Sequence, residues 1–243
     1  MTATGVACGT CGTELRDGDK FCHECGAPII VSHKPAEYKQ VTVLFADVVR
    51  SMDIAAALCP ERLREVVTEL VTRAVTAVQR YGGTVDKFTG DGIMALFGAP
   101  ITLESHAFRA CLAALEIQQV ARQVAVDVAR RDRIDLLVRV GLNSGQVIAG
   151  EVGATHLGYT AVGEQVGMAQ RMESAAPPGG VMLSESTARL VEDRVDLGER
   201  EIVYIKGVDE GVPAHRLLSI DDEHRHKARP ESRLVGRDRK SVV

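Results

Sequence analysis

The chain has no tryptophan, and aromatic residues make up only 4% of its 243 positions, so it is poorly supplied with stacking platforms for single-stranded nucleic acid. No apolar run approaches the roughly 18 to 20 residues of a membrane span, and Met1 to Gly9 lacks the basic start and apolar stretch of an export signal. A cytoplasmic chain with no membrane partner is the expectation. Neither sign of charge dominates: 29 Lys and Arg stand against 33 Asp and Glu, for a net charge of -4 and a pI near 6.0. That balance argues against a general nucleic-acid binder and leaves small anions held through metal as the expected ligands. What is present is ordinary globular material, 45% hydrophobic and 26% charged. It suffices for one good core and excludes a second large domain.

Composition divides the chain into parts. Residues 1–30 are rich in Cys and Gly, and residues 31–38, with Pro35 and several polar side chains, read as a linker. Periodic apolar patterns run from 39 to 220, and residues 221–243 mix both charge signs with few apolar anchors, the pattern of a mobile tail. In the first part, Cys8-Gly9-Thr10-Cys11 and Cys22-His23-Glu24-Cys25 form two CxxC knuckles ten residues apart. Four thiolates at such spacing make a closed tetrahedral site for one structural Zn²⁺, with no open position for a reacting water. Disulfides are the alternative, and the expected reducing compartment disfavours them. Gly12 and Gly26 follow the second cysteine of each pair, where the backbone must fold so that amides can point at sulfurs. Cys59 and Cys111 read as packed thiols.

Two acids dominate the middle part. Gln40 to Val48 is a β-branched and aromatic run interrupted near its end by Asp47, which fits a buried strand emerging into a site. Thr84–Thr89 and Ile93–Phe97 read as two more strands, joined by the turn Gly90-Asp91-Gly92. Between them Leu63, Val66, Val67, Leu70, Val71, Ala74 and Val78 recur at helical steps, with Pro60 at the start and Gly82-Gly83 at the end. A strand, helix, hairpin order commonly lays the second hairpin strand beside the first, which brings Asp47 and Asp91 together. Adjacent carboxylates repel unless protonated or bridged, and oxygen ligands of this kind suit Mg²⁺ or Mn²⁺ bound with phosphates. Taken singly, each aspartate also fits an ordinary turn role.

Four segments in order resemble the class III nucleotidyl cyclases over residues 39–218. They are Val43-Leu44-Phe45-Ala46-Asp47, Asp86 through Gly98, Arg139-Val140-Gly141-Leu142-Asn143-Ser144-Gly145 continuing to Gly153, and Gly158 through Glu164 followed by Arg171-Met172-Glu173-Ser174. Within that family the chain resembles actinobacterial members placed ahead of a P-loop ATPase and a DNA-binding regulator. The resemblance implies an α+β fold, a ferredoxin-like βαββαβ core, here with a small N-terminal zinc ribbon. A second helix is expected over 105–130 and a strand over 136–142. It implies a head-to-tail homodimer binding ATP between two domains, with Asp47 and Asp91 as ligands of two Mg²⁺ or Mn²⁺ ions. Lys87 and Thr160 match the pair that reads adenine, Arg171 the arginine on the α-phosphate, and Lys206 a lysine reaching the terminal phosphates.

Two departures from the family pattern stand out. Four residues before the arginine the family has an asparagine that orients the ribose, and this chain has Gly167; loss of one such donor costs roughly 10² to 10³ in rate. Gln170 is a candidate substitute on the same helix face. After Asp47 the usual glycine, phenylalanine and hydroxyl residue are replaced by Val49-Arg50-Ser51-Met52. The expected function is an adenylate cyclase. The alternatives are a regulatory module that binds nucleotide or partner without turnover and a zinc-ribbon interaction protein whose middle domain only dimerises. Ser232 to Asp238 resembles the lead-in to a P-loop ATPase with no GxxxxGK[ST] after it; the expectation is a shortened relative whose cyclase stands alone or acts on a separately encoded partner.

Overall fold

In a computed structural model the chain forms two compact units, Met1–Pro35 and Ala36–Val243. The described residues are 7–8, 10–16, 21–27, 37–151, 159–204 and 210–220. Most of the expected linker, the tail and Lys206 lie outside them.

In the first unit the two knuckles repeat one backbone pattern. Cys8 N donates to Thr13 O and Gly12 N to Cys8 O, as Cys22 N donates to Ala27 O and Gly26 N to Cys22 O. Gly12 and Gly26 have φ of 76° and 68°, the left-handed conformation that favours glycine. The amides that act on the Cys8 sulfur are those of Cys11 and Thr10, whereas the glycine amides bond the preceding knuckle carbonyls.

The second unit runs β1 (Glu37–Val48), α1 (Ser51–Ala57), α2 (Pro60–Arg80), β2 (Thr84–Phe88), β3 (Ile93–Phe97), α3 (His106–Asp132), β4 (Val138–Glu151), β5 (Tyr159–Val162), α4 (Glu164–Ala175), β6 (Val181–Ser184), α5 (Glu185–Ala188), β7 (Val195–Leu197), β8 (Glu201–Val203) and β9 (Val212–Ile220). The sheet order is β2-β3-β1-β4-β6-β9-β7, with β5 on β4 and β8 on β9. Its first four strands are the ferredoxin-like core, and β1 lies antiparallel between β3 and β4.

Residues Val41 to Ala46 are buried throughout because both faces of β1 are covered. Leu44, Ala46 and Val48 pack with Val66, Leu70, Ala74 and Phe108 from α2 and α3. Val41, Val43 and Phe45 pack on the other face with Ala161 and Ala169 from β5 and α4. Helix α4 lies unusually close to β4. A Cβ on Gly141 would come within 1.9 Å of the Glu173 amide nitrogen, so only glycine admits the helix there.

Several sequence expectations change. β1 begins two residues inside the expected linker, and β4 runs on to Glu151 instead of ending at 142, because pairing along the whole of β1 sustains it through its glycines. Helix α1 was not anticipated, since it buries only Ile54. Cys111 is buried, whereas Cys59 is exposed at the N-cap of α2.

Candidate active site

The β1–β3 register pairs Ala46 with Ile93, which sets the end of β1 beside the hairpin turn carrying Asp91. Gly92 makes this approach possible: a Cβ there would lie 2.1 Å from the Ala46 carbonyl oxygen and 2.5 Å from Asp47 Oδ1. Asp47 is pushed up to about 7, first by burial and then by the Asp91 and Glu173 carboxylates. Its Oδ1 is buried and accepts no hydrogen bond. A buried, undonated carboxylate oxygen beside a second carboxylate is the electrostatic deficit that a divalent cation fills. The two aspartates therefore fit the hard cations that the sequence suggests.

Two further charged residues stand at this place. Arg139 on β4 is the register partner of Asp47, and Glu173 on α4 is buried, with its pKa raised chiefly by burial. Arg139 Nε lies 3.7 Å from Glu173 Oε1, and Arg139 Nη1 donates to the Ser174 carbonyl at 3.0 Å. Sequence reasoning placed both residues in matching segments and assigned them no role. The signal was Gly141 between them, which brings α4 onto the sheet.

The remaining residues sit on separate elements. Lys87 is half-exposed on the edge strand β2 and pairs with Asp86 at 3.1 Å. Thr160 lies on β5 opposite Gly150 of β4, and β2 and β5 approach one another. Arg171 is half-buried on α4 and makes no hydrogen bond or ion pair among the described residues. Gly167 lies one turn before it, and a Cβ there would meet nothing within 4 Å. The Gln170 side chain is exposed. Arg50 is exposed, in the left-handed region with φ 53°, and its carbonyl opens α1 by accepting from Asp53 and Ile54.

In the first unit the ligand atoms of Cys8, Cys11, Cys22 and Cys25 all lie within 4.8 Å of one another. The Cys8–Cys25 and Cys11–Cys22 sulfur separations are 3.7 and 3.5 Å, close to the edge of about 3.8 Å in a tetrahedron with Zn–S bonds of about 2.3 Å. Thr13, through its hydroxyl and amide, brings the Cys11 thiol down to about 6, towards the thiolate that a metal needs. This unit is a four-cysteine zinc-ribbon cluster suited to structural Zn²⁺.

No helix among the described residues is long and apolar enough to cross a membrane. Residues 33–218 match the adenylate and guanylate cyclase catalytic domain family, and residues 8–29 a zinc-ribbon domain. The chain is 29% identical over 179 residues to the receptor-type guanylate cyclase gcy-5 of Caenorhabditis elegans, an alignment covering 72% of this chain and 16% of that protein. Among solved structures, the adenylyl cyclase CyaB from P. aeruginosa superposes with a TM-score of 0.72 at 26% identity, over 76% of this chain and 96% of that one. The guanylyl cyclase Cya2 gives 0.73 at 29%, over 78% and 97%. With the βαββαβ core, the paired acids at the end of β1 and the matched span in agreement, the chain belongs to the class III adenylate and guanylate cyclases, with a zinc ribbon ahead of the catalytic domain.

Proposed function

We propose that the domain is an adenylate cyclase, acting in a cytoplasmic setting as a homodimer that converts ATP to 3′,5′-cyclic AMP and pyrophosphate. The observation that carries this reading is the meeting of Asp47 and Asp91, with a buried Asp47 oxygen that no protein donor satisfies. These two carboxylates would hold two Mg²⁺ or Mn²⁺ ions. Bound there, the ions would acidify the ribose 3′ hydroxyl and neutralise the triphosphate.

The reaction is an in-line attack of the 3′ oxygen on the α-phosphorus. The new P–O bond closes the ring, the bond to the β-phosphate oxygen breaks, and pyrophosphate leaves while the hydroxyl proton passes to solvent. The protein aligns and neutralises. Arg171 has no competing partner among the described residues, and its planar fork suits the charge spread over the α-phosphorus oxygens. Lys87 and Thr160 offer an ammonium and a hydroxyl to the ring acceptors and amino group of adenine, which favours ATP over GTP; the approach of β2 to β5 supports their acting together. Lys206 is assigned to the terminal phosphates. In the dimer, the aspartates of one protomer and Lys87, Thr160 and Arg171 of its partner would face one nucleotide.

A second reading is favoured by Gly167, which supplies no side-chain donor: a cyclase-like module that binds nucleotide without turnover. Cyclic AMP measured on purified protein with Mn²⁺ and ATP, beside Asp91→Ala, decides between them. Product above the variant's background supports the cyclase. Nucleotide binding without product supports the module, and cyclic GMP formed from GTP in preference refutes the adenine assignment.

A further inference from the structure

Asp47 and Arg139 are opposite-charge register partners on adjacent strands, a placement that normally yields a cross-strand ion pair because facing Cβ atoms lie about 5 Å apart. Here they do not bond. Asp47 Oδ1 and Arg139 Nε are both buried without a hydrogen-bond partner, an acceptor and a donor left unbonded on register-paired residues. The guanidinium is instead drawn to α4, by the Ser174 carbonyl at 3.0 Å and the Glu173 carboxylate at 3.7 Å. Glu173 can do this because Gly141 lets the α4 backbone sit against β4. Glu173 is the one charged group paired with Arg139 among the described residues, and the Ser174 carbonyl adds a neutral hydrogen bond from the same turn of α4.

We propose that Glu173 is a positioning residue that holds Arg139 away from Asp47, so that the Asp47 carboxylate stays open to a divalent cation. Without Glu173 the guanidinium relaxes onto Asp47, satisfies the orphaned oxygen and occupies the charge that the metal would take. Arg139, so held, offsets part of the charge of Glu173. The inference rests on the assignment of Asp47 and Asp91 as metal ligands and goes beyond it by naming the pair that controls access to them.

The test is Mn²⁺ binding alone, without nucleotide, on the full zinc-loaded chain, followed by the free Mn²⁺ paramagnetic resonance signal. Glu173→Gln is expected to weaken binding about tenfold, the usual scale for a residue behind a metal ligand. In Glu173→Gln/Arg139→Gln, binding is expected to return to the wild-type range, because the competing cation is gone. A purely structural ion pair is told apart by Arg139→Gln alone, which would strand the buried Glu173 carboxylate and weaken binding as much as Glu173→Gln does. Arg139→Gln alone is expected to bind Mn²⁺ at least as tightly as wild type, and this holds the test open should Glu173→Gln fold poorly. Unchanged binding in Glu173→Gln, no recovery in the double variant, or weaker binding in Arg139→Gln would each overturn the proposal. Mn²⁺ binding indifferent to Asp91→Ala would instead sink the assignment of the aspartates, so the two failures are told apart.

Discussion

Position 167 offers a gain-of-function experiment. In the proposed reaction the side chain one turn before Arg171 orients the ribose, and Gly167 leaves that place empty. Substitution by asparagine is open on structural grounds: a Cβ at 167 meets no atom within 4 Å, and the φ lies outside the left-handed range. In a helix asparagine is also better tolerated than glycine by a few tenths of a kcal/mol, so Gly167→Asn leaves the melting temperature unchanged or slightly raised. One preorganised donor aimed at developing charge is worth roughly 3 to 4 kcal/mol, or 10² to 10³ in rate. The assay is kcat for cyclic AMP formation with Mn²⁺ and saturating ATP, run on wild type, Gly167→Asn, Gln170→Ala and Gly167→Asn/Asp91→Ala. The expectation is a rise of about 10² in kcat that Asp91→Ala abolishes. If Gly167→Asn is folded and dimeric yet no faster, the donor argument is wrong. A fall on Gln170→Ala would show that Gln170 reaches inward in place of the missing donor; no change removes it, in keeping with its exposed side chain.

The metal-free site has a pH signature. Asp47 is raised from its ordinary value of 3.8 to about 7, so the folded state holds a proton that the unfolded state releases, and stability falls as pH rises from about 4 to 7. Asp47→Asn should remove that slope in thermal melts at pH 5 to 8 and stabilise the chelated protein at pH 8 by about 1 kcal/mol, discounted for partial exposure, while abolishing turnover. Gly92→Ala forces a Cβ to 2.1 Å from the Ala46 carbonyl oxygen; a loss of about 1 to 3 kcal/mol in urea melts and loss of Mn²⁺ binding are expected. Cys22→Ser should leave no tightly bound zinc in a chromogenic release assay, against one ion in wild type.

The paired acids were legible because their cues are local. A strand ending in one acid, a helix of known polarity and a glycine-flanked turn holding the other fix the meeting point once a single topological preference is applied, and the observed β1–β3 register places both acids there. The zinc cluster was legible for the same reason, since spacing along a short chain dictates which sulfurs can meet. Helix α1 escaped notice because it is seven residues long with one buried side chain, too short for a period to register.

Arg139 and Glu173 escaped for a different reason. They lie 34 positions apart and acquire meaning only from the way α4 lies on β4, which no periodicity in either element announces. Yet the strand does carry a trace of that docking. Gly141 and Gly145 point to the same face of β4 four residues apart, and each would drive a Cβ into α4, the first at the Glu173 amide nitrogen 1.9 Å away and the second at the Gln165 side chain 2.7 Å away. Between them Asn143 donates to the Gln165 carbonyl and side-chain oxygens, both at 2.9 Å. Two glycines on one face of an otherwise buried strand, with a polar residue between them, are costly for strand propensity and are best explained by a helix backbone pressed against that face. From that contact it follows that a charge at the preceding in-face position, Arg139, must meet the helix's last turn, which ends in Glu173-Ser174-Ala175.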